Sequence, residues 1–197
     1  MVPTYLNVLN LPQVFAAYCS NVDKYILESS SNECVVDCSS KKISGFVTAT
    51  FGQEEEAAGE YFTVENPRGE SFSLLQIDNG IIKKNAGPAT KKCDCAIANN
   101  NSLCFIEFKT KSVSSNPLRI EKNYRRAIEQ LTDTIGIFDR YHTSQGTDIR
   151  TLRTVEAYIC FRHGYPQKTS SQMNFQVSFA KENKGIPLFF ERKKELL

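Results

Sequence analysis

The feature that most constrains the fold is a pair of apolar runs of strand length, residues 91–97 and 103–109, joined by an Asn-rich turn. Both runs carry charged side chains, Asp94 in the first and Glu107 and Lys109 in the second. Because side chains alternate between the two faces of a strand, Glu107 and Lys109 project to the same side, roughly 6–7 Å apart. A charge in an apolar strand is costly unless it is paired or bound to a metal ion. Two carboxylates and a lysine on adjacent strands therefore indicate a site for a hard divalent cation and a phosphate.

The length of 197 residues suits one domain with a hydrophobic core of its own. We predict a single domain over residues 1–197, with the motifs in about 70–165 and an N-terminal extension of helix and strand in 1–69. No apolar run approaches the roughly 20 residues of a membrane helix. The N-terminus lacks the pattern of a secretory signal, so the expected location is the cytoplasm, without a membrane partner. The seven cysteines are expected to be reduced and mostly packed thiols.

The charges are distributed unevenly along the chain. Residues 1–80 carry 4 Lys/Arg against 11 Asp/Glu, whereas residues 81–168 carry 15 against 8. The basic segment is the one that holds the charged pair of strands, and a basic surface around carboxylates suits a polyanion such as nucleic acid. On charge alone, an ordinary solvated surface explains the asymmetry better.

Hydrophobic spacing predicts the helices and strands of the chain. Helices are predicted at residues 12–28, 53–62, 116–141 and 173–181, and strands at 43–51, 71–77, 154–161 and 186–190, besides the two charged strands. The sequence Asp78-Asn79-Gly80 predicts a hairpin that returns through residues 81–84. This order of elements predicts an α/β fold with a central mixed sheet flanked by α-helices.

The ordered set of Asp94, a short turn, Glu107-Phe108-Lys109, a long helix and a core strand resembles the PD-(D/E)xK nuclease superfamily over roughly residues 70–165. The resemblance implies a restriction-endonuclease-like fold and a metal-dependent nuclease that hydrolyses phosphodiester bonds, in DNA more than in RNA. In that family Asp94 and Glu107 would bind Mg²⁺ or Mn²⁺, with the backbone carbonyl between Glu107 and Lys109. Lys109 would orient or activate the attacking water, and Gln130 on the following helix would position water or phosphate.

The sequence departs from the family pattern at two positions. Cys93 stands before Asp94 where a proline is usual. The Gln-x-x-x-Tyr motif of the exonuclease-like branch would place a tyrosine at 134, and this chain has Thr134 there. Gln130 is therefore without its usual motif partner. Because Cys93 and Cys95 flank Asp94 in a strand, both are expected to point away from it into the opposite core.

The remaining site predictions concern the surroundings of the carboxylates. Lys122 and Arg126 share a helix stripe with Gln130 and, together with Lys111, are expected to hold the nucleic-acid backbone. The resemblance also implies a further carboxylate from a preceding helix, for which Glu56 and Glu60 both remain candidates.

The alternative hypothesis is a catalytically silent nuclease-like module that binds nucleic acid or a partner protein, with the acidic N-terminal third as the partner-facing surface. Either of two observations would decide for it over the nuclease. One is a separation of Asp94 from Glu107 of more than about 6 Å, too far for one shared cation. The other is a Glu107 side chain buried in an ion pair with Lys109. Either mechanism is compatible with a defence or mobile-element system, and an active enzyme would need restraint by a homodimer or a regulatory protein.

Overall fold

The computed structural model of the protein describes residues 2–38, 47–53, 59–83, 91–112, 116–162 and 170–196. Two short 3₁₀ helices, Thr4–Leu9 and Val22–Tyr25, accompany four α-helices: α1 Leu11–Val14, α2 Pro117–Ser144, α3 Ile149–Leu152 and α4 Ser170–Glu182. The strands are β1 Ile26–Ser29, β2 Glu33–Asp37, β3 Ala49–Gly52, β4 Tyr61–Glu65, β5 Phe72–Gln76, β6 Cys95–Ala98, β7 Ser102–Phe108, β8 Thr154–Cys160, β9 Leu188–Phe189 and β10 Lys193–Glu195.

The larger sheet has six strands in the order β1-β5-β6-β7-β8-β9. The pairs β1–β5, β5–β6 and β6–β7 are antiparallel, whereas the pairs β7–β8 and β8–β9 are parallel. The antiparallel β6–β7 pair is joined by a tight turn, in which the Asn99 side chain accepts hydrogen bonds from the Asn101 and Ser102 amides at 3.0 and 2.7 Å. The parallel β7–β8 pair requires a long crossover, which α2 supplies.

The smaller sheet has four strands in the order β10-β4-β2-β3, with β10 parallel to β4 and the other pairs antiparallel. It packs on one face of the larger sheet, where Phe62 of β4 meets Tyr158 of β8 with ring centroids 5.1 Å apart. The opposite face of the larger sheet is covered by α2, α4 and the N-terminal segment, through buried residues such as Leu11, Leu131 and Phe179. The molecule is thus mixed α/β, with two mixed sheets and helices arranged in layers.

The long helix α2 forms where the sequence predicted it. Asn116 accepts a hydrogen bond from the Leu118 amide at 3.0 Å, and Pro117 occupies the first turn, where its missing N–H costs nothing. The apolar stripe of α2 is buried against the sheet at Tyr124, Ala127, Leu131, Ile135 and Phe138. The strands predicted at 71–77 and 154–161 and the helix at 173–181 are also confirmed, with boundaries shifted by a few residues.

Several local predictions are wrong. The helix expected over residues 12–28 is a single turn, α1, because Ile26 and Leu27 pair with Leu75 and Leu74 of β5 and join the larger sheet. Long-range pairing here outweighs helical spacing. Phe62, predicted at the end of a helix, lies in β4, while residues 54–58 of that prediction lie outside the described residues.

The Asp78-Asn79-Gly80 segment makes a turn, with Asn79 at φ 57°, but its return reaches only one bridge, between Asp78 and Ile82. The strand expected at 43–51 is described from residue 47 onward and becomes β3. The prediction of an α/β fold with a mixed sheet flanked by helices is confirmed, but there are two mixed sheets, and the second covers one face of the larger one. Among the described helices, none has a stretch both long and apolar enough to cross a membrane.

Candidate functional site

Asp94 lies immediately before β6 and is held by the main chain on both sides. Its carbonyl oxygen accepts hydrogen bonds from the amides of Ile77 and Asp78, each at 3.1 Å, and its side-chain Oδ2 accepts one from the Phe108 amide at 2.6 Å. These contacts tie the end of β5 and the end of β7 to one residue. The Asp94 carboxyl group is therefore fixed at the edge where the two charged strands of the sequence meet.

Glu107 is the direct neighbour of Asp94 across the strands. The β6–β7 register pairs Cys95 with Ile106, so the next pair along places Asp94 opposite Glu107. The two carboxyl groups lie close enough for the charge of Glu107 to raise the pKa of Asp94. The wide separation that would favour the silent module is therefore not observed.

Burial controls the protonation of this pair. Glu107 is only 1 % exposed, and desolvation raises its pKa to about 7, although the nearby Lys109 opposes the shift. Burial, followed by the charge of Glu107, also raises the pKa of Asp94 well above its ordinary value. Within the described part of the chain, Glu107 Oε2 is buried without a hydrogen-bond donor. An acceptor in this position fits a shared proton or a bound cation.

Lys109 projects to the same face as Glu107, as strand alternation predicted. Its ammonium group forms an ion pair with Glu107 Oε1 and donates a hydrogen bond to Gln130 Oε1 at 2.9 Å. The side chains of Glu107 and Lys109 are 2 % and 12 % exposed. A buried Glu107–Lys109 ion pair is the second of the two conditions stated for the silent module, and either condition was sufficient for that hypothesis. The structure therefore meets one condition of the silent module, while the closeness of Asp94 and Glu107 is what a shared cation requires.

Gln130 and Thr134, one turn apart on α2, hold the backbone in front of Asp94. Gln130 Nε2 donates to the Lys92 carbonyl at 2.9 Å, and Thr134 Oγ1 accepts from the Cys93 amide at 2.8 Å. The Thr134 hydroxyl donates in turn to the Gln130 carbonyl at 2.9 Å. Thr134, which stands where the motif would have a tyrosine, thus has a defined contact at the site. In the sequence it could have been noticed as a polar residue within the apolar stripe of α2.

The prediction that Cys93 and Cys95 face the same core is wrong. Cys93 packs in the core between the larger sheet and the helices, whereas Cys95 packs in the core between the two sheets. Regular alternation fails because Asp94 forms a bend before β6 begins. Burial raises the pKa of both thiols well above the ordinary value, so they are neutral packing groups.

Two further acidic residues that the sequence did not single out lie close to the pair. Asp37 of β2 raises the pKa of Asp94, and it accepts a hydrogen bond from the Thr110 hydroxyl. Asp78 raises the pKa of Glu107 and forms a 3.3 Å ion pair with Lys92. Both were hidden from sequence reasoning because they reach the site from the other sheet and from the turn after β5.

The additional carboxylate predicted from the resemblance is not identified. Glu56 lies outside the described residues, and Glu60 stands just before β4, where its carbonyl accepts the Asp37 amide at 2.9 Å. Across the described ranges, no group of three or more His, Cys, Asp or Glu side chains is placed to hold a metal ion. The residues that could hold a divalent cation are therefore Asp94 and Glu107, whose carboxylate oxygens are the ligands that Mg²⁺ and Mn²⁺ prefer.

A groove of about 930 Å³ runs along the N-terminal half of α2 and ends at Gln130. Lys122 and Arg126 line it, as do Lys91 and Lys92 from the segment that leads to Asp94. Lys111 is exposed in the turn after β7 and stands outside the set of residues that line the groove. Lys122 and Arg126, two of the three basic side chains predicted to hold nucleic acid, thus line the same groove as Gln130.

Comparisons with known proteins add no relationship to this geometry. No family model, no curated protein and no solved structure matches the chain.

Proposed function

We propose that this protein is a metal-dependent nuclease of restriction-endonuclease-like fold that hydrolyses phosphodiester bonds, in DNA more than in RNA. The observation that carries the proposal is the contact of the Asp94 and Glu107 carboxyl groups with Lys109 on the same face. Three such groups at the ends of two adjacent strands repeat the residue order on which the resemblance rests. A basic groove ends at Gln130, which contacts Lys109 at 2.9 Å, and its charge attracts a polyanion to this side of the site.

Each side chain has a role that follows from its position. Asp94 and Glu107 hold the divalent cation, which when bound polarises a phosphate oxygen and lowers the pKa of a water molecule. Lys109 directs its ammonium group toward the carboxylates and offsets negative charge that develops on the phosphate during attack. Gln130 accepts a hydrogen bond from Lys109 at 2.9 Å and so fixes the direction of that ammonium group. Lys122 and Arg126 hold the nucleic-acid backbone.

A catalytically silent module is the second candidate, and the Glu107–Lys109 ion pair supports it. With only 2 % and 12 % of the two side chains exposed, the ammonium group already neutralises the carboxylate that a cation needs. In this hypothesis the buried charges are structural, and the groove binds nucleic acid or a partner protein without cleaving it.

A cleavage assay tests the enzymatic hypothesis. Purified protein is incubated with plasmid and with single-stranded DNA in Mg²⁺ or Mn²⁺, beside Glu107→Gln, Asp94→Asn and Lys109→Ala. We expect cleavage by the wild type and a loss of at least about 100-fold in each variant, because each removes charge stabilisation of the transition state. Asp139→Asn, which removes a 2.6 Å ion pair with Lys184, is the matched control and should retain activity. Equal activity in all five proteins would exclude the proposed site.

Thermal unfolding in Mn²⁺ separates the two candidates without relying on turnover. A cation that binds only the folded state raises the unfolding midpoint. The nuclease hypothesis predicts an Mn²⁺-dependent rise for the wild type and none for Glu107→Gln. An identical response from both proteins would instead support the silent module.

A further inference from the structure

We infer that the groove along α2 binds an extended single strand, whose successive phosphates follow Lys122 and Arg126 toward Lys109. The inference rests on the proposed function for the position of the phosphate that is cleaved. In addition, the substrate is a single strand, the strand approaches along α2 toward Gln130, and Arg126 is the basic side chain that matters most for its binding.

Ion pairing within the groove leaves two basic side chains, Lys122 and Arg126, available to bind phosphate. The three acidic side chains that line it are each occupied: Asp78 by Lys92 at 3.3 Å, Glu121 by Arg125 at 2.6 Å and Glu129 by Lys91 at 2.6 Å. Across the described residues, neither Lys122 nor Arg126 has an ion-pair partner, and both are exposed. The net positive charge of the groove is therefore concentrated on these two side chains, where an incoming phosphate meets no competing carboxylate.

The spacing of these side chains suits one strand. Lys122, Arg126 and Gln130 are four residues apart, so each step along the row is about 6 Å at 1.5 Å per residue. The row points from the outer end of the groove to Gln130, which contacts Lys109 at 2.9 Å. A phosphate on Arg126 thus places the next part of the strand beside Lys109 and the carboxylates.

Burial of the carboxylates favours a flexible strand over a duplex. Glu107 is 1 % exposed and Asp94 is 7 % exposed, so the nucleic-acid backbone has to come close to deeply buried carboxyl groups. Duplex DNA is stiff over the length of such a site, and its deformation costs free energy. An extended single strand approaches these groups without that cost.

Two neighbouring arginines provide a matched comparison. Arg126 is free to bind phosphate, whereas Arg125 is engaged by Glu121 and lies over the Phe175 ring with its guanidinium carbon 5.5 Å from the centroid. The two residues share the same helix, charge and exposure class. Both arginines line the groove, so a difference between Arg126→Ala and Arg125→Ala reports the guanidinium group of Arg126, unpaired within the described residues, rather than net charge.

The experiment measures binding of a fluorescent oligothymidylate to the full chain in EDTA, as a function of salt, for wild type, Arg126→Ala and Arg125→Ala. Loss of one phosphate contact lowers the slope of log K against log salt by about 0.7 for a single strand. We expect that reduction, with weaker binding, for Arg126→Ala and an unchanged slope for Arg125→Ala. We also expect the single strand to bind more tightly than a duplex of equal length. Equal slopes for the two variants, or tighter binding of the duplex, would overturn the inference.

Binding in EDTA requires no hydrolysis, so the strand path along α2 and the nuclease activity can fail independently of each other. Arg126-dependent binding without any cleavage in Mn²⁺ would reject the nuclease and leave the strand path standing. Cleavage that is lost in Glu107→Gln but unaffected by Arg126→Ala would reject the strand path alone. Unfolding midpoints equal to the wild type for both arginine variants exclude a folding defect.

Discussion

At the scale of single residues, Glu107 concentrates most of the chemistry of the site. It is almost fully buried, contacts a second carboxyl group and forms an ion pair with a lysine on the same strand face. A carboxylate in that position is expensive unless a proton, an ammonium group or a cation compensates for it. The pair of Asp94 and Glu107 can therefore bind a proton near neutral pH, and a cation competes with that proton.

The raised pKa of Glu107 makes stability depend on pH. Its pKa is about 7 in the folded protein and 4.5 for a solvated side chain, as in the unfolded chain. Between these two pH values the folded state therefore binds more protons than the unfolded state. The free energy of unfolding should then fall as pH rises from about 4.5 to 7, by at most about 1.4 kcal/mol per pH unit for one proton. Urea unfolding at a series of pH values measures this slope.

Glu107→Gln supplies the control for that measurement, because glutamine has the same shape and does not titrate. The variant should lose the part of the slope that comes from Glu107, while Asp94, whose pKa is raised first by burial, keeps its own contribution. If wild type and variant show parallel curves, the carboxyl pair does not hold the proton that the burial of Glu107 indicates. Asp139→Asn, a surface change, should leave the slope as in the wild type.

At the scale of elements, the site is formed where β6 begins, β7 ends and α2 packs across them. Asp94 stands just before β6 and Lys109 just after β7, where the Lys109 amide still donates to the Cys160 carbonyl at 2.8 Å. Gln130 and Thr134 then bind the carbonyl of Lys92 and the amide of Cys93. A threonine hydroxyl thus holds the chain beside Asp94 at the position where the family motif would have a tyrosine.

Removing the Thr134 hydroxyl should loosen this contact. Thr134→Val keeps the shape but leaves the buried Cys93 amide without its acceptor, at a cost of about 1–3 kcal/mol of unfolding free energy. Thr134→Ser keeps the hydroxyl and should lose less. If Asp94 binds Mn²⁺ as proposed, stabilisation by Mn²⁺ should also be smaller in Thr134→Val, since Asp94 directly follows Cys93 in the chain. An unchanged Mn²⁺ response would show that this contact is structural and does not position Asp94.

Elements with local end signals could be predicted from the sequence, whereas elements formed by long-range pairing could not. The helix α2 has a proline, a capping asparagine and an apolar stripe, all local signals that agree with its burial. The N-terminal segment has an equally good helical spacing, yet Ile26 and Leu27 belong to β1 because β5 offers an open edge. Helical spacing in a short segment cannot reveal a strand partner almost fifty residues away, as for Ile26 and Leu75.

At the scale of the whole molecule, the larger sheet has a hydrophobic core on each face. Helices close one core, and the smaller sheet closes the other. The second core brings Asp37 of β2 near Asp94, so the smaller sheet contributes charge to the site as well as apolar surface. The site therefore depends on packing between sheets that no single motif describes.

Phe62→Ala tests that dependence. Phe62 is fully buried in β4 and packs edge to face on Tyr158 of β8 at 5.1 Å. Its truncation should cost about 3–5 kcal/mol of unfolding free energy. If the two sheets unfold together, urea denaturation followed by fluorescence and by circular dichroism should give one shared transition. Phe51→Ala, at a half-buried position of β3, should cost less. Separate transitions would show that the smaller sheet unfolds independently of the site.

Local periodicity and end signals predicted the strand β7, the shared face of Glu107 and Lys109, and the long helix that follows, because none of these depends on a distant partner. Packing between distant segments determined what surrounds them. It placed the second sheet over one face, turned Cys93 and Cys95 into different cores, and brought Thr134, Asp37 and Asp78 to the carboxyl pair. These contacts join residues distant in the chain, and their free energy comes from burial and pairing that only the folded arrangement creates.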